Sequence, residues 1–301
     1  MMTYNIVSVD LSIIIISYNT KDITEKCIRM VMASLNRDPD IKAEIIVLDN
    51  NSTDGSVEML EKLGKEIRLI KSKENLGFAR GNNRAVKDAT GKYLMFLNSD
   101  TEAVENAVPQ LYRLFHDNKH GFDAAGGKLL NTDGTLQASA GRFYTLPVAF
   151  AALFLKADSW GLSRSSPSRA KEIDWVSGAC FIIRKSNFER LGGFDEAIFM
   201  YWDEVDFFYR ARQKGLTVGF FPEPTFIHHE GASSNSRTQP ILNVYTGYRH
   251  FYKKHYSPVH LKILRDMLQL KAVLSVVIGK LTGNRYLVET YSQAYEIAKK
   301  N

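Results

Sequence analysis

Apolar runs that stop abruptly at polar residues set the rhythm of the first third of the chain. Leu11 to Ser17 (LSIIIIS) is β-branched and ends in Tyr18, Asn19 and Thr20, and Ala43 to Leu48 runs into Asp49 and the turn-forming string Asn50 to Gly55. Ile67 to Ile70 is a third such run, and Tyr93 to Leu97 is followed at once by Asn98, Ser99 and Asp100. Short continuous apolar runs bounded by turn residues predict buried strands of a parallel sheet. Between them the period becomes helical: Ile23, Cys27, Val31 and Leu35 recur at four-residue spacing after Asp22, with Glu25 placed for a capping box. A second helix is expected near Ser56 to Leu63, with Gly64 as a left-handed cap, and a third inside Glu74 to Ala85, ended by Gly91. The order βαβαβαβ predicts a doubly wound nucleotide-binding half with right-handed crossovers.

After an expected helix over Val104 to Phe115 the pattern turns β-rich. Asp133-Gly134 between apolar flanks predicts a hairpin over Leu129 to Gln137, and Trp175 to Arg184 reads as a Ser-Gly-Ala turn entering a strand. Residues 139 to 172, rich in Ser, Arg and Gly, read as an irregular mobile segment. Phe194 to Gly215 gathers five carboxylates among aromatics before becoming helical, and Thr217 to Phe221 is a further strand leading to His228 and His229. Thr238 to Lys300 is helical in pattern, and within it Leu261 to Leu281 alternates leucines and valines with lysines. The expected division is a domain over 1–235, with a nucleotide-binding half near 10–120 and a second half near 121–235, and a helical C-terminal extension over 236–301.

Composition changes this picture little. The 301 residues are 45% hydrophobic and 24% charged, those of a globular chain able to build a full core. Lys plus Arg number 39 against 33 Asp plus Glu, and the net charge of +6 suits an anionic ligand, an anionic membrane surface or nucleic acid alike. No clustered Lys/Arg motif of a known nucleic-acid reader is present, so no nucleic-acid partner is expected. Cys27 and Cys180, far apart in apolar segments, read as reduced core residues of a cytosolic protein. Met1 to Asp10 has no basic n-region, and Leu261 to Leu281 carries too many charges for a transmembrane helix. As a basic amphipathic helix it suits either peripheral docking at the inner face of the cell membrane or packing on the protein or on a second copy.

The polar clusters Ser17 to Asn19, Asp49 to Asp54 and Asn98 to Asp100 fall at the ends of successive strands and so converge on one edge of one sheet, where open α/β folds bind ligands. Asp49 can accept the imide N–H of a pyrimidine base, although NST and DG strings also make ordinary Asx-turns. Asp100 at a strand tip can hold a cation or cap a helix beginning near Glu102. Asp203 and Glu204, beside Tyr201 and Trp202, can cap a helix, or can form a site where burial and like charge raise a pKa toward that of a working base. A neutral His228 or His229 beyond a strand end is a candidate metal ligand, with Ser233 and Ser234 close by in sequence.

Six ordered strings, SYNT (17–20), LDNNSTDGS (48–56), NLGFARGNN (75–83), LNSD (97–100), GGFDEAIFMYWDEVDFFYRAR (192–212) and IHHEGASS (227–234), together resemble family-2 inverting glycosyltransferases of the GT-A fold. The resemblance is to the rhamnosyltransferase-like branch that builds cell-surface polysaccharides. It implies a Rossmann-like, mostly parallel mixed sheet flanked by helices, a nucleotide-diphosphate sugar donor, a glycan or lipid-linked acceptor, and Mg²⁺ or Mn²⁺. Carried onto this sequence, it implies that Ser17, Tyr18, Asn19 and Asp49 cradle the nucleoside, with Asn75, Phe78 and Asn82 lining the pocket and Asn98 and Ser99 beside the donor. It places Gly178 and Ala179 along the sugar cleft, Trp202 toward the acceptor, Asp100 at the metal with His228 or His229, and Glu204 or Asp203 as the catalytic base. Two departures stand out: Asn98 occupies the place of the first Asp of a DXD motif, and the usual Glu-Asp pair is reversed to Asp203-Glu204. The competing reading is a non-catalytic sugar-nucleotide-binding or scaffold module, which metal-dependent donor hydrolysis would separate from an enzyme.

Overall fold

A computed structural model describes residues 8–229, 231 and 238–300. Strands β1 (Leu11–Ser17), β2 (Ala43–Asp49), β3 (Arg68–Lys71) and β4 (Tyr93–Asn98) lie parallel in the order β3-β2-β1-β4. Helices α1 (Lys21–Leu35), α2 (Ser56–Lys62) and α3 (Gly77–Val86) connect them. Ile13 and Ile15 pack on one face with Val47, Met95 and Leu97, while Ile14 packs on the other with Ile46, Leu48 and Phe96. The pleat alternates, and both faces are covered, which is why the strands read as unbroken apolar runs.

The rest of the sheet is mixed. β5 (Thr101–Ala103) follows directly on Asp100, then α4 (Ala107–Asp117), β6 (Ala124–Leu130) and β7 (Leu136–Gln137), the last two forming the expected hairpin. No helix begins near Glu102, because residues 101–103 pair antiparallel with a later strand. The capping role for Asp100 therefore falls away.

The segment expected to be mobile is instead built. It contains β8 (Ala140–Gly141), α5 (Leu146–Phe154), β9 (Arg164–Ser165) and β10 (Lys171–Ile173). β8 lies between β9 and β11 (Trp175–Val176) in a small second sheet. Phe143, Ala149 and Ala157 bury their side chains, so scattered small apolar residues hold a segment whose composition alone reads as loop. β12 (Cys180–Arg184) then inserts antiparallel between β4 and β6, followed by α6 (Lys185–Leu191), α7 (Asp203–Gln213) and β13 (Val218–His228), which runs parallel to β6. The other expectation to fail is local: α1 starts at Lys21 after Thr20, and Glu25 reaches Arg29 at 2.6 Å rather than closing a capping box.

Three helices, α8 (Thr238–His255), α9 (Pro258–Thr282) and α10 (Arg285–Lys299), complete the chain. Tyr245, Tyr248, Phe251 and Tyr252 of α8 share one buried cluster with Phe96, Phe181 and Trp202 on a face of the main sheet. Gly247 permits this contact, since a β-carbon there would lie 2.2 Å from the Trp202 ring. Cys27 and Cys180 are free and buried on the opposite face.

Candidate active site

The parallel register sets Ser17 beside Asp49 and Ile16 beside Asn98, so the polar ends of β1, β2 and β4 share one edge. Asn19, in the left-handed region at φ 50°, accepts from the Thr53 N–H at 2.8 Å and ties the first loop to the second. Its own N–H donates to Ser52 Oγ at 2.9 Å. Asp49 is 1% exposed; its Oδ1 accepts from the Ser52 N–H at 2.9 Å, while its buried Oδ2 has no protein partner. A buried carboxylate oxygen left without a donor is costly unless a ligand supplies one. Tyr18 is half-buried next to this loop. Ser17 turns its hydroxyl to Thr24 at 3.1 Å, and Ser99 faces Thr20 at 3.5 Å, so both are occupied inside the protein.

A second wall comes from the turn before α3. Asn50 holds it, donating to the Gly77 carbonyl and accepting from the Leu76 N–H, each at 3.2 Å. Asn75 accepts from the Gly77 N–H at 2.9 Å, and buried Asn82 donates back to the Phe78 carbonyl at 2.9 Å. Both asparagines therefore shape the turn around Phe78. Gly178 sits against that ring, where an added β-carbon would lie 3.2 Å from Phe78 Cζ. The Ala179 carbonyl accepts from the Asn98 N–H at 3.0 Å, joining the Ser177–Ala179 turn to the strand tip.

At that tip Asp100 Oδ1 is 3.2 Å from His228 Nε2, and Asn98 Nδ2 is 3.3 Å from the same nitrogen. His228 Nδ1 lies 2.8 Å from Gln137 Oε1, an acceptor that fixes the proton on Nδ1 and leaves the Nε2 lone pair facing the Asp100 carboxylate. Two electron-rich atoms face one another there, an arrangement a divalent cation would reconcile. An oxygen and an imidazole nitrogen suit Mn²⁺ or Mg²⁺. Among the described residues no group of three or more His, Cys, Asp or Glu side chains converges, so substrate oxygens would complete the shell. His229 is not part of this arrangement: it pairs with Glu102, which Lys26 also holds at 2.7 Å. Ser233 and Ser234 lie outside the described residues.

Opposite stands the start of α7. Tyr201 and Trp202 both take left-handed backbone, φ 63° and 71°, a strained pair of bulky residues that turns the chain into the helix. Trp202 does not face an open cleft; its ring packs 4.2 Å from Tyr248 and 4.9 Å from Tyr144. That corrects its expected place toward the acceptor. The carboxylates that follow divide sharply. Asp206 is fully buried against Arg210 at 2.8 Å, His255 at 2.7 Å and Lys254 at 2.8 Å; burial raises its carboxyl, but these bonds overcome it and hold it down at about 2. Asp195 is likewise held low by Lys254 and His250 against the opposing effect of burial. Asp203, 1% exposed, keeps a buried Oδ1 with no partner, and burial together with the Glu204 charge pushes it well above the carboxylate range. Glu204 is half-buried; burial raises it, only partly offset by its own backbone N–H and by Arg164.

Residues 12–192 match the family described as glycosyl transferase family 2. The chain belongs to this family. The hexosyltransferase Agl10 of low-salt glycan biosynthesis from Haloferax volcanii is 26% identical over 248 residues, 80% of this chain and 73% of that protein. The N-acetylglucosaminyl-diphospho-decaprenol L-rhamnosyltransferase of Mycobacterium tuberculosis is 27% identical over 225 residues, 67% of this chain and 72% of that protein. Among solved structures, mannosyltransferase PcManGT from Pyrobaculum calidifontis, in complex with GDP-Man and Mn²⁺, matches with a TM-score of 0.57 at 16% identity, covering 96% of this chain and 85% of that one. The family-2 chain thus has the GT-A fold, with rhamnosyltransferases among its relatives.

Several residues that shape this candidate site escaped the sequence reading. Asn50 stood inside the quoted LDNNSTDGS string, but nothing in one dimension aims its side chain at residues 76–77. Gln137 and Arg164 come from segments read as hairpin and loop. His250, Lys254 and His255 carried a signal, cations recurring on one side of a helix, yet their acidic partners lie about 50 residues away in sequence.

Proposed function

We propose that this family-2 glycosyltransferase moves a sugar, with rhamnose the leading candidate, from a nucleoside-diphosphate donor to a hydroxyl of a glycan or lipid-linked saccharide in cell-surface polysaccharide synthesis, by one inverting displacement. The observation that carries this reading is the division among buried acidic side chains. Asp206 and Asp195 are bridged by Arg210 and Lys254, whereas among the described residues no lysine or arginine bridge reaches Asp49, Asp100, Asp203 or Glu204, and Asp49 Oδ2 and Asp203 Oδ1 are buried without any partner.

In this reading Asp49 Oδ2 accepts the imide N–H of a pyrimidine base, Asn75 and Asn82 hold the turn that presents Phe78, and Gln137 steadies His228 through Nδ1 with Asn98 beside its Nε2. Asp100 and His228 would hold Mg²⁺ or Mn²⁺, which when bound neutralises charge on the departing diphosphate. Glu204 accepts the proton of the attacking hydroxyl; between the neighbouring carboxylates it is the one with exposed surface. Burial holds Glu204 above the usual carboxylate range, where a general base is poised, and its charge in turn helps keep the buried Asp203 protonated beside it. The displaced diphosphate leaves from the face opposite the attack, so the anomeric configuration inverts.

Transfer assays with candidate nucleoside-diphosphate sugars test the assignment. Glu204→Gln should lower kcat about 10²- to 10⁴-fold with donor affinity retained. Wild-type turnover in that variant, with Asp203→Asn inactive, would move the base to Asp203. Because Glu204 must be ionised to work and its pKa is raised, kcat/KM should fall on the acid side at a pH above that of an ordinary carboxylate.

A further inference from the structure

The apolar residues of α9 divide between two faces. Leu264, Leu268 and Ala272 are buried against the protein, while Ile263, Leu270, Leu274, Val277, Ile278 and Leu281 are exposed. At 3.6 residues per turn the exposed set forms one stripe opposite the buried face. Lys271 borders this stripe on one side, and Lys262 and Lys280 border it on the other. The acidic residue of α9, Asp266, is already held by Lys262 at 2.9 Å. Packed beside α9 is α5, whose sequence LPVAFAALF carries no charge and leaves Phe150 exposed against Phe154 at 5.1 Å. Just beyond it Leu155 and Trp160 are also exposed, the indole at 62%.

We propose that the α5–α9 face docks on a lipid bilayer bearing anionic headgroups, with α9 lying in the plane of the surface. Charge complementarity selects this partner. Lysine stems lie along the apolar stripe while their ammonium groups reach outward to phosphates, and each contributes near an anionic surface. Trp160 is the amphipathic ring that such an interface favours. A second copy docked by the same face would set the lysine borders of two α9 helices against each other, a like-charge juxtaposition. No helix among the described residues is long and apolar enough to cross a membrane, and an apolar face with basic borders belongs to a helix that lies on one. The test of this surface reads lipid binding alone, independently of sugar transfer.

The full chain is mixed with phosphatidylcholine vesicles, with and without one third phosphatidylglycerol, and followed by sedimentation and tryptophan emission. Of the three tryptophans, Trp175 and Trp202 are 2% and 6% exposed, so a blue shift on binding reports Trp160. The expected result is co-sedimentation with the anionic vesicles, at least about tenfold weaker with neutral ones or at high salt. Leu274→Glu with Val277→Glu should lower partitioning about 10- to 100-fold without changing the melting temperature, both positions being exposed. Lys271→Ser with Lys280→Ser should weaken binding to anionic vesicles only, and Trp160→Phe should abolish the emission shift. A chain that stays in the supernatant with both vesicle types overturns the proposal. So does equal binding to neutral vesicles, or a lipid-free dimer that the glutamate variants make monomeric.

Discussion

Asp49 shows how much a single unpaired oxygen can decide. Its Oδ1 is spent on the Ser52 N–H, so Asp49→Asn leaves that bond in place and changes only the free edge, where an amide N–H₂ would meet the donor group of a base. Nucleotide affinity in that variant should drop about 10- to 100-fold, the worth of a hydrogen bond to a charged group, with little change in melting temperature. Isothermal titration with uridine and thymidine diphosphates measures it, and undiminished affinity would remove Asp49 from the base-binding role. Asp203 and Glu204 are adjacent in sequence but unequal in use, since one is sealed beneath the other and only Glu204 has surface to offer an acceptor.

At the scale of elements, α8 acts as a clasp on α7. Lys254 bridges both Asp195 and Asp206, and His250 and His255 hydrogen-bond to them; this lets a helix start rich in carboxylates sit in the core while leaving Asp203 and Glu204 without such partners. Removing one partner of such a buried group strands the others, so Asp206→Asn should cost about 3–5 kcal/mol in urea unfolding. The pH dependence has a definite sign. Asp206 is depressed from 3.8 to about 2, so its contribution is full above its unfolded value and is lost as pH falls from about 4 through about 2. The stability difference between wild type and variant should shrink over that window. A difference that stays constant would mean the clasp is not electrostatic.

For the whole molecule, the main sheet and the C-terminal helices share one buried cluster, from Ile14 through Phe181 and Trp202 to Ala298. A chain ending before Thr238 would expose Trp202, Tyr144 and Tyr209, which now meet α8 at ring separations of 4.2 to 5.4 Å. Such a chain should be insoluble or unfold without a cooperative transition, as scanning calorimetry would reveal; cooperative unfolding near the full-length midpoint would instead make residues 238–300 a separable attachment. The nucleotide-binding half was legible because each strand is covered on both faces and so wrote an unbroken apolar run ending in its own functional residues. The segment 139–172 was not, because its small sheet rests on pairs such as Ala140 with Val176 that are distant in the chain and weakly patterned.

The chain's linear order determined the alternation of strands and helices, the tips at Tyr18, Asp49 and Asp100, and the acidic start of α7, because local periodicity and turn chemistry act over a few residues. Only the tertiary structure decided which of those groups stay unpaired. His228 meets Asp100 while His229 is spent on Glu102, Trp202 is turned into the core, and two of the α7-region carboxylates are neutralised by a helix some fifty residues later. Burial and pairing are properties of what surrounds a residue, and that is fixed by the packing of distant segments, not by the letters on either side.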